Sequence, residues 1–247
     1  MPAFAAVIIA IGKRHIGMID KRDFCGAGVV ITGAGSGVGA AACAAFAELG
    51  AKVLLVGRDE NKLRQTQQQL AATSKTAKAE TVICPGDIGE SAFCERLLDV
   101  ALERFGRLDV VVNNAGQICR GAARRMKNGG AIVNVASTAG LAGVANLSAY
   151  CASKGGVVQL TRALAMEFAG SHISVNAVCP GAIESPMLFS AHPPQRTDKQ
   201  TRDMNINQIP ARRLATAAET ARAIVFLATE PHITGTMLPV DGGYTAR

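Results

Sequence analysis

The feature that most constrains the fold of this 247-residue chain is a glycine-rich loop between a short β-branched run and an alanine-rich stretch. In Thr32-Gly33-Ala34-Gly35-Ser36-Gly37-Val38-Gly39 the glycines occupy alternate positions. Such a loop lets the backbone approach a pyrophosphate, while the N-terminus of the next helix presents free N–H groups and the positive end of its dipole. A tight turn that binds nothing is the alternative interpretation, but the flanking strand and helix favour phosphate binding. The loop predicts a dinucleotide-binding unit.

The rest of the chain alternates between short apolar runs and helix-length segments. Most of the runs are apolar throughout, as is typical of strands that are covered on both faces. The predicted strands are Gly28–Thr32, Lys52–Val56, Thr81–Cys84, Leu108–Val112, Ala131–Ala136, Ile173–Val178 and Thr236–Val240. The predicted helices are Val38–Leu49, Asn61–Ala72, Ser91–Phe105, Ala149–Ala169 and Ala217–Ala228. This order predicts an α/β fold, a doubly wound Rossmann fold with a central parallel sheet of about seven strands. We expect one domain over residues 28–247, preceded by an extension of unclear role over residues 1–27.

The composition argues against several other classes of protein. Hydrophobic residues make up 49% and charged residues 18% of the chain, which excludes global disorder. The formal net charge of +7 suits an anionic ligand, but 4% aromatic residues leave few rings to stack on nucleic-acid bases. The densest basic cluster is interpreted as a solvated face; its members are Arg120, Arg124, Arg125 and Lys127. We therefore expect no nucleic-acid partner.

Cysteine usage and hydropathy indicate the compartment. Seven cysteines form no CxxC pair, so we expect reduced thiols, no metal site and a cytoplasmic protein. The apolar run Ala3–Gly12 is shorter than the roughly 20 residues that span a bilayer, so we expect no membrane partner.

The end of the second predicted strand indicates a cofactor preference. An enzyme that prefers the unphosphorylated nicotinamide cofactor usually has a carboxylate here for the adenosine ribose. Gly57 supplies none, whereas Arg58 could pair with a ribose phosphate. NADP(H) is favoured, and Asp59 keeps NAD(H) possible.

Tyr150 and Lys154 are the strongest candidates for catalysis. They stand four residues apart in a predicted helix, so both side chains lie on one face, one turn apart. A nearby ammonium favours the phenolate form of a tyrosine, which can then exchange a proton with a carbonyl oxygen as hydride reaches the carbon. Ser137 follows the fifth strand, at the sheet edge where open α/β sheets bind ligands, and its hydroxyl could hold the substrate oxygen. A turn-capping serine and a chance pair are the alternatives when each is taken alone.

In combination these features resemble the short-chain dehydrogenase/reductase family from about Gly28 to the C-terminus. The matching motifs are TGAGSGVG at 32–39, Asp87-Ile88, NNAG at 113–116, Ser137, YCASK at 150–154, Pro180-Gly181 and VDGGY at 240–244. The resemblance implies an alcohol dehydrogenase or carbonyl reductase with Tyr150 as general acid/base and Lys154 as the charge that favours its phenolate. It implies Ser137 as the group that holds the substrate oxygen.

The resemblance also implies a set of cofactor-binding residues. The phosphates would meet the loop, the adenine would meet Asp87, and Asn113 would steady the sheet beside the cofactor. Lys154 would bind the nicotinamide ribose, and Ile183 and Ser185 the carboxamide. The full set is Gly33, Ser36, Gly37, Val38, Gly39, Arg58, Asp87, Ile88, Asn113, Ala115, Gly116, Tyr150, Lys154, Pro180, Gly181, Ile183 and Ser185.

The chain departs from the family pattern between NNAG and Ser137. Only residues 117 to 136 lie between them, about half of what the resemblance leads us to expect. The family's long helix here carries a catalytic asparagine and builds a dimer contact, and its shortening is predicted to expose Val157, Val158, Leu160 and Leu164. A homo-oligomer therefore remains possible but not established. A cofactor-binding homologue with little turnover, either a binding module or a truncated product, is the alternative function.

The substrate is expected to be a small-molecule alcohol or ketone. It is either a small or cyclic secondary alcohol or its ketone, or a 3-oxoacyl thioester. The polar segment Leu188–Ile209 shows no strong periodicity and is interpreted as a mobile lid over that substrate.

Overall fold

The computed structural model describes residues 23–73, 79–113, 118–190 and 196–246. Seven parallel strands form one sheet in the order β3-β2-β1-β4-β5-β6-β7. The strands are β1 (Gly28–Thr32), β2 (Lys52–Gly57), β3 (Thr81–Pro85), β4 (Val110–Asn113), β5 (Gly130–Val135), β6 (Ile173–Pro180) and β7 (Met237–Val240). This sheet confirms the predicted doubly wound fold.

Helices cover both faces of the sheet. They are α1 (Gly37–Glu48), α2 (Glu60–Thr73), α3 (Ser91–Phe105), α4 (Ile118–Arg125), α5 (Ser148–Phe168), α6 (Pro186–Ser190), α7 (Asp198–Gln208) and α8 (Ala217–Thr229). Phe46 of α1, Leu63 of α2 and Ile224 of α8 belong to one apolar cluster, and Leu97 of α3 and Leu164 of α5 to another. Val29 and Ile31 join the first cluster and Val30 the second, because successive side chains of a strand point to opposite faces. The inner strands are therefore buried on both sides, while the edge strands β3 and β7 are mostly half-buried.

The strand order reverses beside β1, which pairs with β2 on one side and β4 on the other. All strands run in the same direction, so the loops that follow them lie along one edge of the sheet. In open α/β sheets this edge, beside the reversal, is where ligands bind.

Three helices were not among the sequence predictions. Helix α4 lies in the short crossover between β4 and β5, while α6 and α7 occupy most of the segment interpreted as a lid without periodicity. Helix α7 begins with a capping box, in which Thr197 and Gln200 each bond the other's backbone N–H. This local signal was present in the sequence, although α7 has a largely polar composition.

The prediction that the short crossover exposes apolar residues of α5 is wrong for Val158 and Leu164. Both are buried, at 3% and 1% exposure, while Val157 and Leu160 are half-buried. Val157 and Val158 pack near the end of β5 and β6. Leu164 shares a cluster with Ile118, so even the short helix α4 contributes to the cover of this face.

The basic cluster is a set of ion pairs that joins α4 to its neighbours. Arg120 bonds Glu167 of α5 at 2.8 Å, and Arg125 bonds Asp99 of α3 at 2.6 Å. Arg124 bonds Glu95 of α3 at 3.0 Å. Arg120, Arg124 and Lys127 are exposed, as expected for a solvated face, whereas Arg125 is half-buried.

The described part of the chain begins at Asp23, shortly before β1. Phe24, which precedes β1, is buried and packs edge-to-face on Phe46, with ring centroids 5.1 Å apart. Residues 1–22, which include most of the N-terminal extension, lie outside the described residues.

In the described part of the chain, none of the helices has the length and apolar character needed to cross a membrane.

Glu219 at the start of α8 gives the fold a testable dependence on pH. Hydrogen bonds from the Arg213 guanidinium and the Thr216 N–H hold the pKa of Glu219 at about 2. Because this pKa lies below the ordinary value of 4.5, the stabilisation is complete above that pH and is lost as the pH falls towards 2. Glu219→Gln keeps the capping box without the charge. Its Tm should be lower than the parent's at neutral pH, and the difference should shrink between pH 4.5 and 2. A difference that is independent of pH would contradict this origin.

Candidate functional site

The glycine loop brings the start of α1 very close to the end of β1. Gly33 and Gly37 have φ angles of 69° and 54°, which L side chains rarely adopt. A Cβ on Gly39 would lie 2.1 Å from the Gly33 carbonyl oxygen, so only glycine allows this approach. The loop is tied to β2 by the Ala34 N–H, which donates to the Val56 carbonyl at 3.0 Å.

The first turn of α1 is suited to an anion. It contains no acidic residue, and its N-cap Ser36 is exposed. The Ser36 side chain makes no capping hydrogen bond to the described residues around it. Val38 is half-buried behind it. The N–H groups and the dipole of α1 therefore fit a pyrophosphate.

Arg58 and Asp59 follow β2 and have different surroundings. Arg58 is exposed at the sheet edge. The Asp59 carboxylate accepts the Lys62 N–H at 3.2 Å and lies 3.8 Å from the Lys62 ammonium. Asp59 therefore caps its own helix, α2, and Arg58 is the more available of the two for a ligand.

Asp87 and Ile88 lie after β3. Asp87 is exposed, and its carboxylate accepts the Gly89 N–H at 2.9 Å, which closes a local turn. Ile88 is half-buried, and its carbonyl accepts the Cys94 thiol at 3.2 Å.

Asn113 belongs to a buried polar network at the end of β4. Its amide donates to Asn134 of β5 at 3.2 Å and to the Cys119 sulfur of α4 at 3.3 Å. The Asn134 amide donates in turn to the Thr161 hydroxyl of α5 at 2.9 Å. This network links the crossover to the helix that carries Tyr150. Ala115 and Gly116 lie outside the described residues.

Tyr150 and Lys154 lie beside the end of β5, and Ser137 follows that strand two residues later. The Lys154 ammonium donates to the Val135 carbonyl at 3.0 Å and lies 5.9 Å from the centre of the Tyr150 ring. Tyr150 is 40% exposed, so its ring is accessible from the solvent side. The Ser137 hydroxyl oxygen accepts the Ala139 N–H at 3.2 Å, which leaves its proton available to a ligand.

Cys179 lies beneath these groups and was missed by the sequence analysis. It is fully buried at the end of β6. Burial raises the pKa of its thiol to about 11, against the opposing effects of the Ser137 backbone N–H and the Lys154 ammonium. Burial also lowers the pKa of Lys154. The only sequence signal was the position of Cys179 directly before Pro180-Gly181.

The segment after β6 also lies at the carboxyl edge of the sheet. Pro180 ends β6 and is buried. The Gly181 N–H donates to the Val240 carbonyl at 3.1 Å, and a Cβ on Gly181 would lie 2.9 Å from that of Asp241. Ile183 forms a β-bridge with Ala215, and the Ser185 hydroxyl accepts the Leu188 N–H at 3.4 Å. All described members of the predicted site therefore lie in segments at the carboxyl edge of the sheet.

Two family models match this chain. The one described as "short chain dehydrogenase" covers residues 27–128, and the one described as "Enoyl-(Acyl carrier protein) reductase" covers residues 117–245.

Relatives of full length are also similar to this chain. An uncharacterized oxidoreductase of Thermotoga maritima is 36% identical over 260 positions, which cover 91% of this chain and 99% of the relative. A 2-(R)-hydroxypropyl-CoM dehydrogenase of Xanthobacter autotrophicus is 34% identical, with coverage of 88% and 98%.

Solved structures share the fold. The crystal structure of levodione reductase superimposes with a TM-score of 0.84 at 32% identity, covering 90% of this chain and 99% of the other. A variant of actinorhodin polyketide ketoreductase with NADPH gives a TM-score of 0.79 at 29% identity, with coverage of 89% and 97%.

Proposed function

Because the chain belongs to the short-chain dehydrogenase/reductase family, we propose that it is an NAD(P)-dependent oxidoreductase that interconverts a secondary alcohol and a ketone. The observation that carries the proposal is the placement of the Lys154 ammonium, which lies 5.9 Å from the centre of the Tyr150 ring and donates to the carbonyl of Val135, two residues before Ser137. A phenol, an ammonium and a hydroxyl at the ligand-binding edge of a dinucleotide fold are the groups that carbonyl reduction needs. The Xanthobacter relative, whose name specifies a 2-hydroxypropyl substrate, supports a secondary alcohol.

Each of the three side chains has a separate role in ketone reduction. A bound nicotinamide supplies the hydride. The Tyr150 hydroxyl donates its proton to the ketone oxygen as negative charge develops there. The Ser137 hydroxyl donates a hydrogen bond to the same oxygen, and its existing bond from Ala139 orients it for this role. The Lys154 ammonium stabilises the phenolate that remains on Tyr150. Alcohol oxidation uses the same groups with the protons moving in the opposite direction.

The cofactor would lie along the edge that begins at the glycine loop. The phosphates would be surrounded by N–H groups of a loop that itself contains no carboxylate, formed by Gly33, Ser36, Gly37, Val38 and Gly39. The remaining predicted contacts keep the roles that the resemblance implies for them. These are Asp87 at the adenine, Asn113 beside the sheet, Lys154 at the nicotinamide ribose, and Ile183 and Ser185 at the carboxamide. The set is completed by residues without a separate role at the cofactor, which are Ile88, Ala115, Gly116, Tyr150, Pro180 and Gly181.

We further propose that NADPH is preferred, because Arg58 is exposed and Asp59 is engaged by Lys62. Arg58→Ala should weaken NADPH binding about tenfold, the value of one partly exposed charge-assisted hydrogen bond, and leave NADH binding unchanged. The fluorescence of the reduced nicotinamide reports this directly, since the chain has no tryptophan. Arg64→Ala is the matched control. It also removes one guanidinium, but Arg64 pairs with Glu60 within α2. Equal losses for NADH and NADPH would contradict the assignment.

Two measurements on the purified protein test the proposed function. The first is NADPH and NADH binding by fluorescence. The second is the loss of NADPH absorbance with cyclohexanone or butanone, and its gain from NADP+ with the corresponding alcohols. Binding and turnover together support the enzyme. A folded protein that binds neither nucleotide would overturn the proposal.

The alternative is a cofactor-binding homologue with little turnover. It is favoured by the short crossover, in which α4 is only eight residues long. The match to the Thermotoga relative extends over 260 positions, more than the 247 residues of this chain, so that relative contains residues that this chain lacks. NADPH binding without turnover on any of these probes would favour this alternative.

A further inference from the structure

The turn that carries Ser137 is pressed against the turn of α5 that carries Lys154. A 3-10 turn, Thr138–Gly140, follows Ser137. A Cβ on Gly140 would lie 2.6 Å from the Lys154 carbonyl oxygen and 3.1 Å from the Val158 Cγ2. The first distance is one that real Cβ atoms do not show, and the atom concerned is helix backbone, which cannot rotate away. Any side chain at this position must therefore move the turn or the helix.

Hydrogen bonds within this turn connect Gly140 and Ala139 to Ser137, so a displacement of Gly140 would also displace Ser137. The Gly140 N–H donates to the Ser137 carbonyl at 2.9 Å, and the Ser137 hydroxyl oxygen accepts the Ala139 N–H. The φ angle of Gly140 is not positive, so its backbone lies outside the left-handed region. Alanine would be unstrained at this backbone conformation, so the contact with Lys154 is the property that requires glycine.

Lys154 is held by the same stretch of chain at a second point. Its ammonium donates to the carbonyl of Val135, two residues before Ser137, while its main chain touches Gly140, three residues after Ser137. The stretch from Val135 to Gly140 therefore contacts Lys154 at two points, its ammonium and its main-chain carbonyl. Tyr150 lies one helical turn before Lys154 on the same helix, so a shift of Lys154 would also shift Tyr150.

We propose that Gly140 is a positioning residue, which sets the distance between Ser137 and the Tyr150–Lys154 turn so that both hydroxyls reach one substrate oxygen. This inference rests on the proposed function for its catalytic consequence. A shift of about 1 Å in such an arrangement can cost about a hundredfold in rate. The contact itself is a property of the fold and can be tested separately.

The test compares Gly140→Ala with Gly156→Ala, a control on α5 that has open space around its Cβ position. With cyclohexanone and NADPH, Gly140→Ala should lower kcat by about tenfold to a hundredfold, with NADPH binding unchanged. The control should keep the parent kcat. A double-mutant cycle with Ser137→Ala separates positioning from general damage. If Gly140 acts through Ser137, Gly140→Ala should cause little further loss in the Ser137→Ala background. A full additional loss there would overturn the proposal.

A second readout does not depend on turnover. Hydrogen exchange should accelerate in the peptides that cover residues 137–141 and 150–158 of Gly140→Ala, and remain at the parent rate in the central strands. Unchanged exchange in both peptides would overturn the contact. If the parent binds NADPH but reduces no probe, the proposed function fails while exchange still decides the role of Gly140. If Gly140→Ala is unstable, adding Gly156→Ala strengthens the helix without relieving the contact, and kcat should stay low.

Discussion

Replacing Tyr150 by phenylalanine is expected to lower ketone reduction by about a hundredfold to ten-thousandfold, the range that general acid–base catalysis contributes. The change removes one oxygen, the atom that would donate the proton. Tyr150 is 40% exposed, so the loss leaves no buried polar partner unsatisfied. Tm should therefore stay at the parent value, and NADPH binding should weaken at most slightly, because Tyr150 is one of many predicted cofactor contacts. Steady-state kinetics, nucleotide fluorescence and thermal melting measure the three quantities on one preparation.

Tyr244→Phe is the matched control, because Tyr150 and Tyr244 are the only two tyrosines in the chain. Tyr244 lies in the C-terminal turn after β7, outside the proposed site. This variant should keep the parent kcat. Unchanged turnover in Tyr150→Phe would remove the tyrosine from the mechanism, and loss of NADPH binding would mean that the variant had damaged the cleft instead.

The sequence predicted the sheet well because burial on both faces leaves a strong signal. The bounds of β1 and α3 agree with the prediction to the residue. Strand β4 begins two residues later than predicted, since Leu108 is buried but precedes the paired segment. The helices that were missed, such as α4 and α7, are short or polar. Helix α4 has only eight residues, and α7 is polar and begins at the Thr197 capping box, so neither contains a long apolar periodicity.

The edge of the candidate site was also predictable, because the ends of parallel strands meet at one edge whatever the side-chain packing. What could not be predicted depends on contacts between distant segments. The spacing of Asp59 and Lys62 is compatible with a helix cap, yet only the structure identifies the Asp59 carboxylate as engaged there. The approach of Gly140 to Lys154 joins residues that are 14 positions apart and leaves no periodic trace in the sequence.

The prediction that apolar residues of α5 are exposed was wrong for Val158 and Leu164 for the same reason. The short crossover suggests a missing cover, but burial depends on which side chains fill the space. Ile118 and Cys119 of α4 are both buried at 1% exposure. Cys119 also joins Asn113 and Asn134 in the polar network, so the eight residues of α4 contribute both apolar cover and hydrogen bonds. Helix α4 is also joined to the helix that carries Tyr150 by the ion pair between Arg120 and Glu167.

A charge at the N-cap of α1 should separate nucleotide binding from stability. Aspartate is as good an N-cap as serine, and its charge interacts favourably with the helix dipole, so Ser36→Asp should keep or raise Tm. The same carboxylate would stand where the phosphates bind. Two like charges about 4 Å apart near a protein surface repel by up to about 4 kcal/mol, so NADPH affinity should fall about a hundredfold. NADH affinity should fall as well, because both cofactors share the pyrophosphate.

Ser36→Asn is the control for this prediction, because asparagine is an equally good cap without the charge. Its Tm should match that of Ser36→Asp closely, whereas its NADPH affinity should stay near the parent's. Opposite effects of the aspartate on Tm and on affinity cannot arise from unfolding, so they would assign the pyrophosphate to the N-terminus of α1. Equal affinities of the two variants would mean that the phosphates bind elsewhere, and the glycine loop would then be no more than a tight turn between β1 and α1.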